Sequence, residues 1–288
     1  MKNSPALLCL AFALCSAGAA SAQEVASLSK ALTFHASFDH GLDADFSTGA
    51  KNARYRAKGE FVPATFNEEL QPQPQGGRFG GGLLFPKKGK TRPQYQGVNI
   101  LQYSETDWSA SVSLWLKLDP NKDLEPGYCD PVQIVGDDSK KGFIFMEWSK
   151  NETPRFFRFA IRPILHLWNP NDTPWDDIAF DKRPMIQVAN APFSREHWTH
   201  AVFSFEHLNH KNAQPVGRLH LNGKKVGSIE GWDLSFGWNP ASIEIVLGAS
   251  YVGAMDDLAV FNKALSDAEI AALHALPKGV SELRISNP

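Results

Sequence analysis

The chain has 288 residues, and its 29 lysines and arginines against 31 aspartates and glutamates give a formal net charge of −2. This near balance, with no basic patch or long charge run, argues against nucleic acid as a partner. The length is sufficient for one large domain with a well-filled hydrophobic core, or for two small ones.

The first 22 residues are predicted to form a secretory signal peptide rather than part of the fold. Met1-Lys2 supplies a short basic start, an apolar run extends from Ala6 to Ala20, and Ala20-Ser21-Ala22 matches an A-x-A cleavage site. The apolar run is too short, and wrongly flanked, to span a membrane. We therefore expect cleavage after Ala22 and a secreted, periplasmic or cell-surface protein formed by residues 23–288.

The three cysteines argue against a disulfide-stapled fold. Cys9 and Cys15 lie in the predicted signal peptide, which leaves Cys129 alone in the mature chain. A single cysteine forms no intramolecular disulfide, so the mature domain has to be stabilised by its core. We expect Cys129 to be a small buried side chain, with a free thiol as the alternative.

Short alternating or apolar runs recur along the mature chain and predict β-strands. They are separated by Gly, Pro, Asn and Asp, which are typical of turns. In Ser111–Leu118 the even positions are Val or Leu and the odd positions are Ser, Trp or Lys, which predicts a strand with one apolar face. Further strands are predicted at Leu32–Phe38, Gly82–Phe85, Gln133–Val135, Gly142–Met146, Arg155–Ile161, Trp198–Phe205, Arg218–Leu221, Ser242–Leu247 and Ala254–Phe261.

Turn signals between these strands indicate the fold class. A hairpin is predicted at Leu219–Val226, where Asn222-Gly223 has the composition of a type I′ turn. The Pro- and Gly-rich stretch Gln71–Gly77 is predicted to be an exposed connector within the domain. Many short strands with turn signals and one late helix predict an all-β sandwich or jelly roll.

The last predicted strand carries two adjacent carboxylates, Asp256 and Asp257. Alternation along a strand places Asp257 on the same face as Met255 and Phe261, and Asp256 on the opposite face. A carboxylate on an apolar face needs a partner, because an unpaired buried charge is costly.

A short C-terminal helix is predicted directly after this strand. Ser266 and Glu269 match a capping box, in which each side chain accepts a hydrogen bond from the backbone of the other residue. Pro277 and Gly279 are expected to end the helix.

The stretch Arg162–Arg183 is predicted to be a functional loop. It is long, broken by proline, and rich in aromatic and acidic residues, and long loops in compact domains are often functional. Aromatic faces flanked by polar groups suit sugar binding, although such aromatics can also belong to the core or anchor the loop. The candidate ligand-binding residues in this stretch and in other segments are Tyr95, Trp148, His166, Trp168, Trp175 and Asp176.

Several motifs occur in order at Phe38-Asp39, Phe79–Phe85, Trp108–Lys117, Val135-Gly136, Gly142-Phe143, Trp198–Val202, Leu221–Lys224 and Met255–Ile270. This ordered set resembles the laminin-G-like branch of the concanavalin A-like lectin/glucanase superfamily. The resemblance implies one domain at 23–288, with its core at about 32–276. It also implies a two-sheet antiparallel jelly-roll sandwich with a short C-terminal helix.

The resemblance further implies a structural calcium ion. In similar domains, an aspartate at the end of the first strand and another near the last strand bind one Ca²⁺, with backbone carbonyls completing the coordination. The matching positions are Asp39 and Asp257, and hard oxygen ligands suit Ca²⁺. Alternatively, Asp257 accepts backbone N–H bonds or pairs with a lysine or arginine.

Catalysis is the less favoured functional class. Glucanases of the superfamily carry a Glu-x-Asp-x-x-Glu strand, and Glu147–Glu152 has neither that spacing nor the central aspartate. A lyase site could draw on Tyr95, Arg162 and His166, whose convergence the sequence does not show. We therefore predict a binding module for an extracellular glycan or protein ligand. The alternatives are a hydrolase or lyase acting on extracellular polysaccharide, and an interaction scaffold without a sugar site.

Overall fold

The computed structural model describes residues 21–285, so the predicted signal peptide lies outside the described residues apart from Ser21 and Ala22. Within this part of the chain, no helix is long and apolar enough to cross a membrane. Its four α-helices are α1 (Ala22–Ala31), α2 (Leu165–Trp168), α3 (Asp267–Ala275) and α4 (Ser281–Ile285).

Residues 21–285 also contain seventeen β-strands, most of them short. In chain order they are β1 (Leu32–Ala36), β2 (Phe46–Ser47), β3 (Arg54–Ala57), β4 (Glu60–Pro63), β5 (Gln71–Gln73), β6 (Gly82–Phe85), β7 (Gln94–Gln96), β8 (Trp108–Lys117), β9 (Cys129–Val135), β10 (Phe143–Trp148), β11 (Phe157–Arg162), β12 (Met185–Val188), β13 (Thr199–Leu208), β14 (Val216–Leu221), β15 (Lys224–Ile229), β16 (Glu244–Ala249) and β17 (Gly253–Phe261).

The strands form two antiparallel sheets. The nine-stranded sheet has the order β15-β14-β13-β8-β17-β1-β2, and β6 and β5 continue beside β17. The eight-stranded sheet has the order β12-β11-β10-β9-β16-β7-β3-β4. Strands distant in sequence are neighbours, since β1 pairs with β17 and β16 lies between β9 and β7. This sandwich, with its short C-terminal helix, confirms the predicted fold class.

The hydrophobic core fills the space between the inner faces of the two sheets. The Val and Leu side chains of Ser111–Leu118 are buried there, as their alternation predicts. At one end of the core, Trp108 packs against Phe205, Phe236 and Trp238 with ring-centroid distances of 4.5, 5.9 and 5.9 Å. Each such large side chain contributes roughly 1.5–3 kcal/mol when it is fully buried.

A helical cap covers part of the outer face of the nine-stranded sheet. Helices α1, α3 and α4 pack there around a second apolar cluster, which includes Leu28, Leu32, Phe261, Ile270, Leu273 and Leu283. The predicted capping box of α3 is confirmed: Ser266 Oγ accepts from Glu269 N at 3.2 Å, and Glu269 Oε2 accepts from Ser266 N at 2.8 Å. Helix α1 was not predicted, because its sequence adjoins the predicted cleavage site.

The strand predictions succeed where the strands are long. Each of the ten predicted strands overlaps an observed one, and Asn222 and Gly223 have the positive φ angles of the predicted type I′ turn. Apart from β15, whose first residues belong to the predicted hairpin, the strands that were not predicted have two to four residues. One of them, β5, is an exposed edge strand formed by part of the predicted connector.

A β-bulge in β17 changes the predicted facing of its residues. The pairing with β8 is irregular between Asp256 and Ala259, and Asp257 has a φ of +53°. One extra residue in a strand reverses the alternation beyond it. Met255 therefore faces the inner core whereas Phe261 faces the helical cap, and the predicted shared face is wrong.

Candidate ligand-binding groove on the eight-stranded sheet

A row of side chains crosses the outer face of the eight-stranded sheet. Gln133 of β9 pairs with Val246 of β16, Val246 pairs with Gln94 of β7, and Gln94 pairs with Arg54 of β3. Tyr95, the neighbour of Gln94, is fully buried in the core. Because side chains alternate along a strand, Gln94 and its partners in the row project away from the core.

These side chains contribute to the floor of a groove of about 640 Å³. That size is in the range of small-molecule and cofactor sites. The polar side chains of the groove are Arg54, Arg56, Arg92, Gln94, Gln96, Gln133, Asp137, Ser242 and Glu244.

Glu244 on the groove floor is only 4% exposed. Its Oε1 accepts a hydrogen bond from Arg54 Nη2 at 2.5 Å, and burial raises its pKa although Arg54 acts in the opposite direction. Within the described residues, Glu244 Oε2 and Arg54 Nε are buried and have no hydrogen-bond partner. Buried polar atoms are nearly always hydrogen-bonded, so these two atoms have unused hydrogen-bonding capacity beside the groove.

The rim of the groove combines positive charge with one exposed aromatic ring. The guanidinium groups of Arg54 and Arg56 lie 3.9 and 4.7 Å from the ring centroid of Phe61, which is 37% exposed. Arg92 is exposed and makes no hydrogen bond or ion pair with any other residue of 21–285. The rim therefore carries guanidinium groups that are available to a ligand.

Two buried acids lie on the same face, beyond the Gln133 end of the groove. Asp130 of β9 and Glu147 of β10 are neighbours across the strand pair, and they are 7% and 4% exposed. Burial raises the pKa of both carboxyl groups, and the charge of Asp130 raises that of Glu147 further. Asp130 Oδ2 accepts from Gln133 Nε2 at 2.5 Å.

Arg158 of β11 partly compensates the burial of these acids. Its Nη1 lies 3.2 Å from Glu147 Oε1, its Nη2 lies 3.3 Å from Glu152 Oε1, and its Nε donates to Gln187 Oε1 at 3.0 Å. Arg158 is itself almost inaccessible. Because a buried ion pair is stable only when its remaining donors are satisfied, these contacts hold Glu147 in one orientation.

The insertion Arg162–Arg183 packs on the other half of this face. The Trp175 ring lies 6.2 Å from the Phe145 ring and 5.8 Å from the Trp168 ring. The Arg162 guanidinium lies 5.1 Å from the Trp168 ring and 5.2 Å from the Trp175 ring. The two tryptophans thus anchor the insertion to the sheet, which matches the alternative hypothesis that these aromatic residues anchor the loop.

Asp176 and His166, the two polar candidates in the insertion, lie in different surroundings. Asp176 accepts hydrogen bonds from Lys150 Nζ at 2.8 Å and from Tyr128 Oη, and these two bonds lower its pKa. With Arg158, it lines a shallow cavity of about 380 Å³. His166 is exposed on α2 and lines neither this cavity nor the groove.

Tyr95 and Trp148 belong to the core, so the prediction that they contact a ligand is wrong. Both side chains are fully buried. The Tyr95 hydroxyl donates to the Leu42 carbonyl at 2.6 Å, and Trp148 stacks on Tyr251 at 5.8 Å between ring centroids. A lyase site that combines Tyr95 with the exposed His166 is therefore not assembled in this structure.

The predicted calcium ligands make hydrogen bonds to nitrogen donors. Asp39 is exposed, and its Oδ1 accepts from Gly81 N at 2.6 Å. Asp257 is buried, its Oδ1 lies 2.7 Å from His35 Nε2, and its Oδ2 accepts from Val280 N at 3.1 Å. In residues 21–285, no three His, Cys, Asp or Glu side chains are arranged to hold a metal. The geometry around Asp257 matches the alternative in which it accepts a backbone N–H, and calcium remains a prediction.

The groove residues were not predicted as a site, although a weak signal for them exists. Arg54-Tyr55-Arg56 and Gln94-Tyr95-Gln96 both alternate polar and aromatic residues, as a strand with one buried face does. Three residues are too few to distinguish a strand from a loop. These segments meet Glu244 only through the pairing of β3 with β7 and of β7 with β16. Arg54 and Glu244 are 190 residues apart in the sequence.

The chain belongs to the Laminin_G_3 family of the concanavalin A-like lectin/glucanases superfamily, whose profile matches residues 94–271. This match confirms the resemblance found in the sequence. Comparison with curated protein sequences gives no significant match.

Solved structures similar to this chain include receptor-binding domains of botulinum neurotoxins. The ligand-binding domain of serotype D in complex with N-acetylneuraminic acid is 12% identical, with a TM-score of 0.49, over 87% of this chain and 52% of that chain. The type G receptor-binding domain is 9% identical, with a TM-score of 0.45, over 79% of this chain and 51% of that chain. The chain spans about half the length of these toxin domains.

Proposed function

We propose that the protein is an extracellular glycan-binding module whose ligand lies in the groove on the eight-stranded sheet. The observation that carries this proposal is the buried, unpartnered Glu244 Oε2 on a floor lined by Gln94, Gln96 and Gln133. Sugar hydroxyl groups donate and accept hydrogen bonds, and side-chain amides and carboxyl groups offer both partners. The groove thus provides the directional polar contacts that orient a sugar.

A glycan fits the groove better than a protein surface does. Hot spots of protein interfaces are aromatic or arginine anchors in desolvated pockets, surrounded by apolar contacts. In this groove the aromatic lining is limited to Phe61. The rest of the lining combines amide, carboxylate and guanidinium groups with the small apolar side chains of Val135, Ala241 and Val246. The chemistry of the lining therefore favours a hydroxyl-rich ligand.

The experiment is affinity electrophoresis of the purified protein in gels that contain soluble polysaccharides. The variant Gln94→Ala/Gln133→Ala removes two amides from the floor, and Gln71→Ala, on the exposed β5 strand, is the matched control. We expect the double variant to bind the retarding polysaccharide at least about tenfold more weakly, because two hydrogen bonds are lost. Equal retardation of wild type and double variant, or no retardation by any polysaccharide, would contradict the proposal.

Structural calcium and export are further proposals that rest on the sequence. The hydrogen bonds around Asp257 do not support a paired role with Asp39, so calcium rests on the family resemblance alone. Calorimetric titration of EDTA-treated protein tests it, and no heat with an unchanged melting temperature would exclude the ion. Export is tested by sequencing the mature N-terminus, which we expect to follow Ala22.

An enzyme acting on extracellular polysaccharide is the second candidate, and the buried pair of Asp130 and Glu147 is the observation that favours it. Carboxyl groups with raised pKa values can act as general acids. Both groups are almost inaccessible and are held by Arg158 and Gln133, which places this candidate second. Release of reducing sugar that is lost in Glu147→Gln would reverse the ranking.

A further inference from the structure

We infer that the groove selects an anionic glycan, whose carboxylate or sulfate groups contact Arg56 and Arg92. The inference rests on the proposed function, because it assumes that the ligand lies in this groove. It adds the charge class of the ligand, which follows from how the charges of the groove are paired.

The groove holds more positive charge than its carboxylates neutralise. Arg54 is paired with Glu244, and Asp137 on the rim is paired with Lys141 at 2.5 Å. Neither Arg56 nor Arg92 has an ion-pair partner among residues 21–285. Guanidinium groups stay protonated at any physiological pH. Glu244 acts on Arg56, and Asp130 on Arg92, only through longer-range electrostatics. Two guanidinium groups therefore remain at the groove without a directly bonded carboxylate.

The two arginines of β3 are held toward the groove rather than free in solvent. Arg54 and Arg56 are two residues apart on one strand, so they share its outer face. Arg56 pairs with Phe61 of β4 across the hairpin, and both guanidinium groups lie against the Phe61 ring. This contact restricts the side chains before a ligand binds and lowers the entropy lost on binding.

The unpartnered oxygen of Glu244 distinguishes a sugar acid from other anions. An inorganic anion would neutralise the arginines and leave Glu244 Oε2 without a donor. A neutral sugar would supply the hydroxyl donor and leave Arg56 and Arg92 without a directly bonded anion. A glycan that carries both hydroxyl and acidic groups satisfies the whole set, and it can contact all of these residues at once.

The extent of the groove indicates an oligosaccharide rather than a single sugar. Its floor crosses β9, β16, β7 and β3, which are consecutive strands of the sheet. Neighbouring strands lie about 4.8 Å apart, so four strands span roughly 14 Å. The acidic residues of one ligand chain can therefore reach Arg56 and Arg92 while its hydroxyl groups reach Glu244.

The test measures binding of the full mature protein to acidic and neutral polymers by affinity electrophoresis and calorimetry. The acidic probes are polygalacturonate and alginate, which carry carboxylates, and chondroitin sulfate, which also carries sulfates. The neutral probes are fully methyl-esterified polygalacturonate and dextran. The variant is Arg56→Gln/Arg92→Gln, and the control is Arg195→Gln, an exposed arginine outside the groove.

We expect wild type to bind at least one acidic polymer, and the double variant to bind it at least about tenfold more weakly, with Arg195→Gln unchanged. Added salt should weaken wild type more than the double variant, because the lost contacts are ionic. Preference among the acidic polymers then separates carboxylate from sulfate. Circular dichroism and melting temperature verify that the double variant is folded.

Two other results separate the inference from the proposed function. Equal binding of acidic and neutral polymers, or acidic binding that is unchanged in Arg56→Gln/Arg92→Gln, would overturn the anionic inference. If that binding is still weakened by Gln94→Ala/Gln133→Ala, the glycan-binding function stands. Binding to none of the polymers would overturn both.

Discussion

Asp257 stands at the bulge of β17 and connects three parts of the fold. Its φ of +53° lies in the left-handed region, which Asp and Asn tolerate better than most other residues. One carboxylate oxygen contacts His35 of β1 and the other accepts from the backbone N–H of Val280. At the scale of single residues, this carboxylate therefore stabilises the closure of the C-terminal segment on the sheet.

Replacing Asp257 tests this role. Asp257→Ala leaves His35 Nε2 and the Val280 N–H without their buried partner, and we expect a loss of roughly 3 kcal/mol in the free energy of unfolding. Asp257→Asn keeps an acceptor and tolerates the positive φ, so its loss should be clearly smaller. Urea denaturation measures both variants, and equal stability of Asp257→Ala and wild type would contradict the role.

His200, also on the capped side of the nine-stranded sheet, makes stability dependent on pH. It is fully buried, and burial, followed by the charges of His274 and His220, holds its pKa well below the usual 6.5. At pH values between the folded and unfolded pKa values, His200 is therefore neutral in the folded chain and protonated in the unfolded chain. Its contribution to stability is full above about pH 6.5 and is lost as the pH falls below that value.

The expected slope for His200 is up to about 1.4 kcal/mol per pH unit below pH 6.5. Asp256 acts in the opposite direction, because burial raises its pKa to about 8 and the folded state then holds a proton that the unfolded state releases. Wild type is therefore compared with His200→Gln by urea denaturation between pH 5 and 7. As the pH falls from 7 to 5, wild type should lose stability relative to His200→Gln, and parallel curves would contradict the assignment.

Among the elements, the insertion Arg162–Arg183 has a different role from the one that its composition indicates. Its aromatic side chains pack on Phe145 and on each other, and the arginine Arg162 lies against both tryptophan rings. The insertion thereby covers one half of the sheet face and leaves the groove on the other half. The sequence locates the insertion, but which way its aromatics point depends on the sheet beneath it.

Trp175→Ala separates an anchoring role from a ligand-binding role. We expect a loss of roughly 2 kcal/mol in the free energy of unfolding, because the ring is only partly buried and its contacts with Phe145 and Arg162 disappear. Affinity for a ligand of the groove should not change. The control is Phe180→Ala, an exposed aromatic residue of the same insertion. Lost binding with unchanged stability would contradict the anchoring role.

At the scale of the whole molecule, long strands and the capping box of α3 could be predicted, because their patterns are local. The bulge at Asp257 could not, since it arises where β17 pairs with β8. The groove could not be predicted either. Its residues come from strands that lie far apart in the sequence, such as β3 and β16, and only the sheet order brings Arg54 to Glu244.

The most direct test of the central claim is a crystal structure of the protein with the acidic oligosaccharide that it binds best. We predict ligand density in the groove, with an acidic group within hydrogen-bond distance of Arg56 or Arg92 and a hydroxyl group on Glu244 Oε2. Ligand density on the opposite sheet, in the cavity lined by Trp115, Trp198 and His274, would contradict the claim.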